Sequence, residues 1–452
     1  MVLMAETITI KRGYDVPFAG APVKFVEDAG LPDTVALKPT DFKGIRPKLT
    51  VQVGDEVKAG SPLFFDKFNE AVKFTAPLSG EVVEINRGAK RVILEVKILV
   101  DKEQRYETFE VEDPRSMEPD AVREVMFKAG VWPMLRERPF DKIAQPTKEP
   151  KAIFISGFDT NPLAIDYNYA LEGQARAFQT GINALRKLTS GKVHLNLPAD
   201  ETLCDAYRQA EGVEKTYFQG PHPSGNIGIQ IHHISPINKG DLYWYINPQD
   251  VVILGRLFLS GHYDARKYIS VGGNGVRTKS YHQSVLGTAV APFLHENLEE
   301  EHVRIISGSV LFGSPVGKDG YLGFYDNYLA VIPEGDEPEL FGWLLPSYPR
   351  PSLSKTFPWA WQSKVEFEPN TNTHGEERPF VVSGEYEKVL PMDIYPVYLL
   401  KAILANDVEA MEGLGIYEVS EEDFALCEFA CTSKQPVTDI IRQGIELMER
   451  ET

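Results

Sequence analysis

Two stretches place aromatic and aliphatic side chains next to guanidinium donors. In AGVWPMLRERPFDKIAQP, residues 129–146, Trp132, Leu135 and Phe140 mix with Arg136, Arg138 and Lys142 between Pro133, Pro139 and Pro146. In DFKGIRPK, Phe42, Ile45, Arg46 and Lys48 surround a tight Gly-Ile-Arg-Pro turn. Apolar faces beside planar donors suit a flat conjugated ring with carbonyl oxygens, such as a quinone, because the ring packs while the guanidinium donates to the oxygens. Phe42, Ile45, Arg46, Trp132, Leu135, Arg136, Arg138 and Phe140 therefore form the candidate ligand region. The competing reading makes both stretches packing loops between domains, and the residues leave the two open.

Other chemistry finds little support. Gly272-Gly273-Asn274-Gly275 and the G-P-H-P-S-G run from Gly220 to Gly225 are the glycine-rich loops, and neither has the G-x-G-x-x-G spacing between a strand and a helix. The first reads as a hairpin turn at Asn274-Gly275. The second loses backbone donors at two prolines, which leaves it poor for phosphate. His232 and His233, in IQIHHI, read as neighbours on a strand that face opposite sides, so they are not expected to share a metal. Cys204, Cys427 and Cys431 are the cysteines. Cys427 and Cys431 lie one helical turn apart and read as small buried apolar residues, since a tetrahedral site needs about four ligands. No G-x-S-x-G, H-E-x-x-H or P-loop pattern occurs, so no catalytic residue and no metal ligand is assigned. From the residues alone, the chain reads as a binding or scaffold subunit.

These residues need a multidomain α+β frame. Residues 7–100 read as short strands separated by Gly and Pro, which indicates a small β-barrel or sandwich. Within them, VQVGDEVKAGSPLFFDK and FTAPLSGEVVEINRGAKRV resemble the biotinyl/lipoyl, or barrel-sandwich hybrid, fold. That fold carries its prosthetic lysine in a tight D-K hairpin. Asp66-Lys67 falls nearby, but its distance from Ala76-Pro77 is expected to displace Lys67 from the tip and to leave it unlipoylated.

Farther along, helix patterns span Glu118–Ala129, Leu171–Leu188 and Leu203–Glu211, between strand patterns Ala152–Ser156, Val193–Leu197 and Thr216–Gln219. This alternation predicts a parallel α/β sheet. A helix is expected over Ser284–Glu296, strands over 303–332, and little regularity over 333–387, a stretch rich in Pro, Gly and Trp. The tail is helical, with Ser420 and Asp423 as a capping box.

Charge narrows the partners. The 452 residues carry 47 Lys and Arg against 65 Asp and Glu, a net −18, which makes nucleic acid an unsuitable ligand because phosphate binding needs clustered cations. Residues 1–100 are nearly neutral, at 14 basic against 13 acidic, so the acidity belongs to the body and tail. No apolar run reaches the ~18–20 residues of a membrane helix, and the N-terminus lacks signal-peptide features; a cytosolic location is expected.

The order and spacing of ITIKRGYDVPFAGAP, GIRPK, KFTAPLSGEVVEINRGAKRV, RERPF, FDTNPLA, GPHPSG, INPQDV, RIISGSVL, YLGFYDN and DFALCEFAC resemble the NqrA family, the A subunits of Na+-translocating NADH:quinone oxidoreductases, over nearly the full length. The resemblance implies a peripheral subunit on the cytoplasmic face of the bacterial inner membrane. Its partners would be the other subunits of the pump, especially the integral membrane ones, and a ubiquinone or menaquinone. It further implies four parts: a barrel-sandwich hybrid domain at 1–105, a Rossmann-like α/β domain at 106–260, an SLBB-like β-grasp module with an irregular extension at 261–387, and a helical domain at 388–452. The family is similar to the C subunit of the Rnf complex and the flavin-binding subunit of complex I. Where those relatives carry a G-G-A-G-F-P loop, this chain has WPMLRERPF, and it lacks the cluster cysteines of the Rnf relative. No tightly bound cofactor, neither FMN nor an iron–sulfur cluster, is therefore expected. A purely structural docking subunit is the alternative.

Overall fold

The computed structural model describes residues 7–28, 30–199, 201–336, 351, 353 and 365–451. Of the irregular stretch expected over 333–387, residues 337–350, 352 and 354–364 lie outside them.

The strands of the first hundred residues are β1 (Thr7–Thr9), β2 (Val26–Glu27), β3 (Thr34–Leu37), β4 (Pro47–Leu49), β5 (Glu56–Val57), β6 (Pro62–Asp66), β7 (Asn69–Thr75), β8 (Gly80–Arg87) and β9 (Ile93–Val100). A four-stranded sheet, β3-β9-β8-β5, faces a three-stranded sheet, β4-β6-β7. Alternate residues of both fill the space between, among them Val35, Phe64, Phe74, Val82, Val96 and Ile98. β1 and β2 belong elsewhere. β1 pairs parallel with a strand at Glu214–Gln219, and β2 with one at Ser280–Val285.

Next come α1 (Pro119–Ala129), β10 (Arg136–Arg138), β11 (Lys142–Ile143), β12 (Ala152–Ser156), α2 (Tyr167–Ala170), α3 (Ala175–Leu185), β13 (Lys192–Pro198), α4 (Asp205–Arg208), β14 (Glu214–Gln219), α5 (Ile227–Ile234), β15 (Tyr243–Tyr245) and α6 (Pro248–Ser260). Gly130, at φ 72°, ends α1 where the sequence places its stop. The strands form one sheet in the order β1-β14-β13-β12-β15-β10-β11, parallel from β1 to β15 and antiparallel at the β10–β11 hairpin. In β12 the run AIFIS is apolar because both faces are covered. Ile153 and Ile155 join the cluster of α3 and α6, while Ala152 and Phe154 join the cluster of α5 and the tail helices. Helices α3 and α6 cross closely through glycines. A Cβ on Gly181 would lie 2.1 Å from the Val251 carbonyl oxygen, and one on Gly255 1.7 Å from that of Ala177.

The third sheet, β19-β18-β20-β16-β17-β2, is built from β16 (Arg266–Gly272), β17 (Ser280–Val285), β18 (Val303–Ser307), β19 (Ser314–Val316) and β20 (Tyr328–Pro333), with α7 (Ala291–Leu294) between. The tail forms α8 (Tyr386–Val389), α9 (Pro396–Leu404), α10 (Val408–Gly413), α11 (Glu421–Ala430) and α12 (Val437–Glu451). The expected capping box is present on α11.

Several local expectations change. His232 and His233 sit on helix α5 rather than a strand. The β-branched IQIHHI mimics a two-residue period, but its neighbours bury this helix almost all round. The helix expected over Ser284–Glu296 is the end of β17, a turn at Gly287 (φ 66°) and the single turn α7. The one expected over Leu171–Leu188 starts only after Gly173 (φ 74°), as α3, with the separate single turn α2 ending before it at Ala170. The β16–β17 hairpin forms, but its left-handed residue is Gly273, not Asn274 or Gly275. Lys67 is not displaced from a hairpin tip: Asp66 pairs with Asn69, so Lys67 and Phe68 are the tip of β6–β7.

Candidate functional site

The RERPFDK stretch is a hairpin at the edge of the parallel sheet. Strand period two puts Arg136 and Arg138 on one face and Glu137 on the other. Arg136 lies opposite Tyr245, and Arg138 opposite Tyr243. The turn holds two non-glycine residues in the left-handed region, Phe140 at φ 81° and Asp141 at φ 53°. Each such residue costs about 1–3 kcal/mol unless its surroundings fix it.

What fixes the turn is the Asp141 carboxylate. It accepts from Arg136 Nη2, from the Tyr245 hydroxyl and from Lys43 Nζ at 3.2 Å. Burial by itself would raise this carboxyl, but Arg136, Lys43 and Arg138 outweigh burial and hold it well below the usual range. The guanidinium of Arg136 is in turn sandwiched, 5.1 Å from the Tyr245 ring centroid and 4.5 Å from that of Tyr325. Burial opposes its charge and Asp141 restores it, so it stays cationic.

Arg138 is fully buried and donates through Nη1 to Asp423 Oδ2 at 3.1 Å. That oxygen also accepts the Ser420 backbone N–H at 2.9 Å, so the capping box of α11 is tied to the hairpin 285 residues upstream. Arg138 Nε and Nη2 and Asp423 Oδ1 are buried without hydrogen-bond partners. Burial raises the Asp423 and Glu422 carboxyls, the neighbouring Asp423 raises Glu422 further, and Arg138 opposes both shifts. Lys43 also bonds Glu421 Oε2 at 2.6 Å, and Glu421 accepts from Arg442 Nε at 2.8 Å.

Beside this network lies an open crevice of about 170 Å³. It sits beyond the carboxyl ends of β12 and β15, where the strand order reverses: the chain runs outward from β12 to β13 and β14 on one side and then places β15 on the other. Open parallel sheets bind ligands at such points. Ser156 ends β12 and Phe158 follows it, and Ile246, Asn247 and Asp250 follow β15. Arg136, Tyr245, Tyr325 and Tyr328 provide one cationic and three phenolic groups, and Glu422 enters from α11. Burial lifts Asp250 to about 6, against the pull of Lys267 and Arg136, and also raises Asp159. The Tyr167 hydroxyl accepts from Asn247 at 2.6 Å and Asn327 at 3.2 Å, which crosslinks the parallel sheet to β20. The FDTN and GPHPSG loops form a further wall. Thr160 Oγ1 accepts the Gly225 N–H at 3.0 Å and contacts Nδ1 of His222, whose burial lowers its pKa to about 3.

The candidate residues divide. Arg136 reaches the crevice with 22% of its side chain exposed. Phe42 is buried against Phe74 and Phe324 and lies 5.9 Å from Tyr325, behind the crevice wall. Trp132 and Leu135 are fully buried, and the Trp132 indole donates to the Ala144 carbonyl at 2.7 Å. Phe140, half-buried, packs on Tyr417. Ile45 and exposed Arg46 stand away from the crevice beside the β6–β7 tip, where Lys67 N–H donates to the Arg46 carbonyl at 2.9 Å. The DFKGIRPK stretch does meet the RERPF hairpin, but through Lys43.

Sequence reasoning missed Lys43, Asp141, Tyr245, Tyr325, Asp250 and Glu422. Their signal was present in another form. FDTNPLA, GPHPSG, INPQDV, RIISGSVL and YLGFYDN are far apart in the chain, yet each supplies part of this crevice.

Nor do the other polar candidates form a second centre. His232 Nε2 accepts the Asp393 N–H at 3.1 Å while Nδ1 bonds Glu418 at 2.8 Å, and His233 Nδ1 bonds the Ile229 carbonyl at 2.9 Å. The Tyr386 hydroxyl donates to Cys431 Sγ at 2.7 Å, and Cys427 is buried one turn before it. Among the described residues, no group of three or more His, Cys, Asp or Glu is arranged to hold a metal ion.

Residues 8–101 match the family described as the NqrA N-terminal barrel-sandwich hybrid domain, residues 117–263 the NqrA second alpha/beta domain, and residues 268–317 the NQRA C-terminal domain. The chain is 37% identical over 449 residues to the A subunit of the Na(+)-translocating NADH-quinone reductase of Yersinia pestis bv. Antiqua (strain Angola), with 98% of this chain and all of the relative covered. It is likewise 37% identical over 452 residues to the corresponding protein of Vibrio alginolyticus, covering 98% and 100%. A solved NAD+-reducing [NiFe]-hydrogenase in the air-oxidized state aligns with 48% of this chain and 47% of its own at a TM-score of 0.33 and 12% identity, too weak a likeness to carry an argument.

Proposed function

The chain belongs to the NqrA family, the A subunits of the Na+-translocating NADH-quinone reductases, and from that premise we propose that it holds a quinone headgroup in the crevice at the strand-order reversal. It does so without a flavin or iron–sulfur centre of its own. The observation that carries this reading is Arg136, cationic, held between Tyr245 and Tyr325 and open to the crevice. A planar dicarbonyl ring packs on phenol faces and accepts from a guanidinium fixed by a carboxylate. Electrons would come from centres on the other subunits. The chain would act at the cytoplasmic face of the inner membrane, docked on integral membrane partners; among the described residues, no helix is long and apolar enough to cross a membrane.

The crevice suits a neutral ring better than a flavin mononucleotide. A flavin phosphate would meet Asp159, Asp250, Asp326 and Glu422, while the one cation among the described lining residues, Arg136, is already matched by Asp141. Gly157 is followed by bulky Phe158, where phosphate would need open backbone. On this reading the parallel sheet is a degenerate Rossmann-like flavin/NADH domain, and the tail helices a domain that closes one side.

The test is titration of the purified chain with a short-chain ubiquinone. Saturable binding is expected, weakened about tenfold or more by Arg136→Leu, since a charge-assisted hydrogen bond is worth about 1.5–3 kcal/mol. Arg46→Ala should leave it unchanged. A second reading, docking without a ligand site, draws on Phe42, Trp132, Leu135 and Arg138 all being taken up by the chain's own packing. Absence of saturable binding, with complex assembly lost on deletion of the chain, would establish that reading instead.

A further inference from the structure

The three-stranded sheet of the N-terminal region is two-faced. Inward, Phe64 and Phe74 stack at 4.6 Å in the core. Outward, the register aligns Lys48, Phe65 and Lys73 on adjacent strands. Both ammonium groups lie over the Phe65 ring, at 5.2 and 4.7 Å from its centroid. Beyond this row the β6–β7 tip projects Lys67 and Phe68. Phe68 is 75% exposed, the most exposed large hydrophobic side chain among the described residues. Arg46 stands beside the tip. The Asp66 carboxylate accepts the backbone N–H groups of Arg46 at 2.9 Å and Phe68 at 3.2 Å, so it holds the turn in place. Arg46, Lys48, Lys67 and Lys73 thus face Asp66 and Glu70 in a patch of positive balance, on a chain of net −18.

We propose that this face, led by Phe68 at the hairpin tip, docks on the surface of an anionic lipid bilayer. Charge complementarity favours the face, because the patch has a positive balance whereas the chain as a whole carries −18 and would be repelled by anionic headgroups. The shape selects lipid over protein. A stable protein interface needs a broad patch with several apolar anchors, whereas one aromatic ring on a convex tip, ringed by flexible cations, suits insertion among headgroups. In that orientation Phe68 enters the headgroup boundary and Lys48 and Lys73 neutralise phosphates. This inference does not depend on quinone binding.

The experiment is co-sedimentation of the purified full chain with vesicles of equal parts phosphatidylglycerol and phosphatidylcholine, alongside vesicles of phosphatidylcholine alone. Binding is expected only to the anionic vesicles, and it should fall as salt is raised. Phe68→Ser and the double variant Lys48→Glu/Lys73→Glu should each weaken it about tenfold or more. Lys102→Glu, at an exposed position elsewhere in the same region, should not. Phe68→Ser changes one exposed side chain, so it keeps the test decisive if the double variant unfolds. No binding to anionic vesicles, equal binding by Phe68→Ser, or binding only to membranes that contain the integral subunits would overturn the proposal.

Discussion

Replacing Arg138 with Met should destabilise the chain in a way that depends on pH. Both side chains of the Arg138–Asp423 pair are fully buried. Without the guanidinium, Asp423 retains only the Ser420 N–H at 2.9 Å and hydroxyl at 3.1 Å, both on Oδ2. An uncompensated buried carboxylate costs about 3–5 kcal/mol. The carboxyl has an escape, because it can take a proton. Protonating a group of unfolded pKa ~3.9 at pH 7 costs about 4 kcal/mol, which caps the loss at that pH. At pH 4 the same proton is nearly free. The folded pKa of Asp423 is already raised by burial, and losing Arg138, which pulls it down, raises it further. The variant's deficit should therefore be about 1 kcal/mol near pH 4 and grow to about 3–4 kcal/mol by pH 7. Urea unfolding of parent and variant at the two pH values measures it, with the buried Trp132 and Trp244 as fluorescence reporters. Arg138→Met/Asp423→Asn should recover most of the loss at pH 7. An equal deficit at both pH values, or a double variant no better than the single one, would refute the argument that charge burial dominates.

Two further outcomes follow from packing and from the crevice acids. Gly255→Ala would put a methyl group 1.7 Å from the Ala177 carbonyl oxygen, so a loss of about 3 kcal/mol in urea unfolding is expected; a neutral result would mean α3 and α6 can separate freely. For Asp250, the folded protein holds the proton more tightly than the unfolded chain does, at about 6 against ~3.9, so stability is lost as pH rises through that window. Asp250→Asn removes this dependence, and the stability difference between variant and parent should shift by about 3 kcal/mol in the variant's favour from pH 4 to pH 7. A constant difference would place Asp250 at an ordinary carboxyl pKa.

Local signals were read well where the cause is local. Gly130 stops α1, Ser420 and Asp423 form their box, and AIFIS is a strand covered on both faces. Errors arose where one pattern serves two structures. IQIHHI alternates like a strand but is a buried helix, and the apolar spacing after Ser284 looked helical despite Gly287 and Pro292. The candidate ligand region divides between core and crevice for a related reason. Composition alone does not separate a Trp132 or Arg138 taken up by the core from an Arg136 at its edge. Nor does any local window link Arg138 to Asp423, or Lys43 to Glu421, because those pairs exist only once the tail closes over the sheet.

The most direct measurement of the central claim is a structure of the chain with a short-chain ubiquinone bound. It should place the ring in the crevice beyond β12 and β15, against Tyr245 and Tyr325, with a carbonyl oxygen within hydrogen-bond reach of Arg136. A ring bound elsewhere, or a crevice left to solvent at saturating quinone, would contradict it.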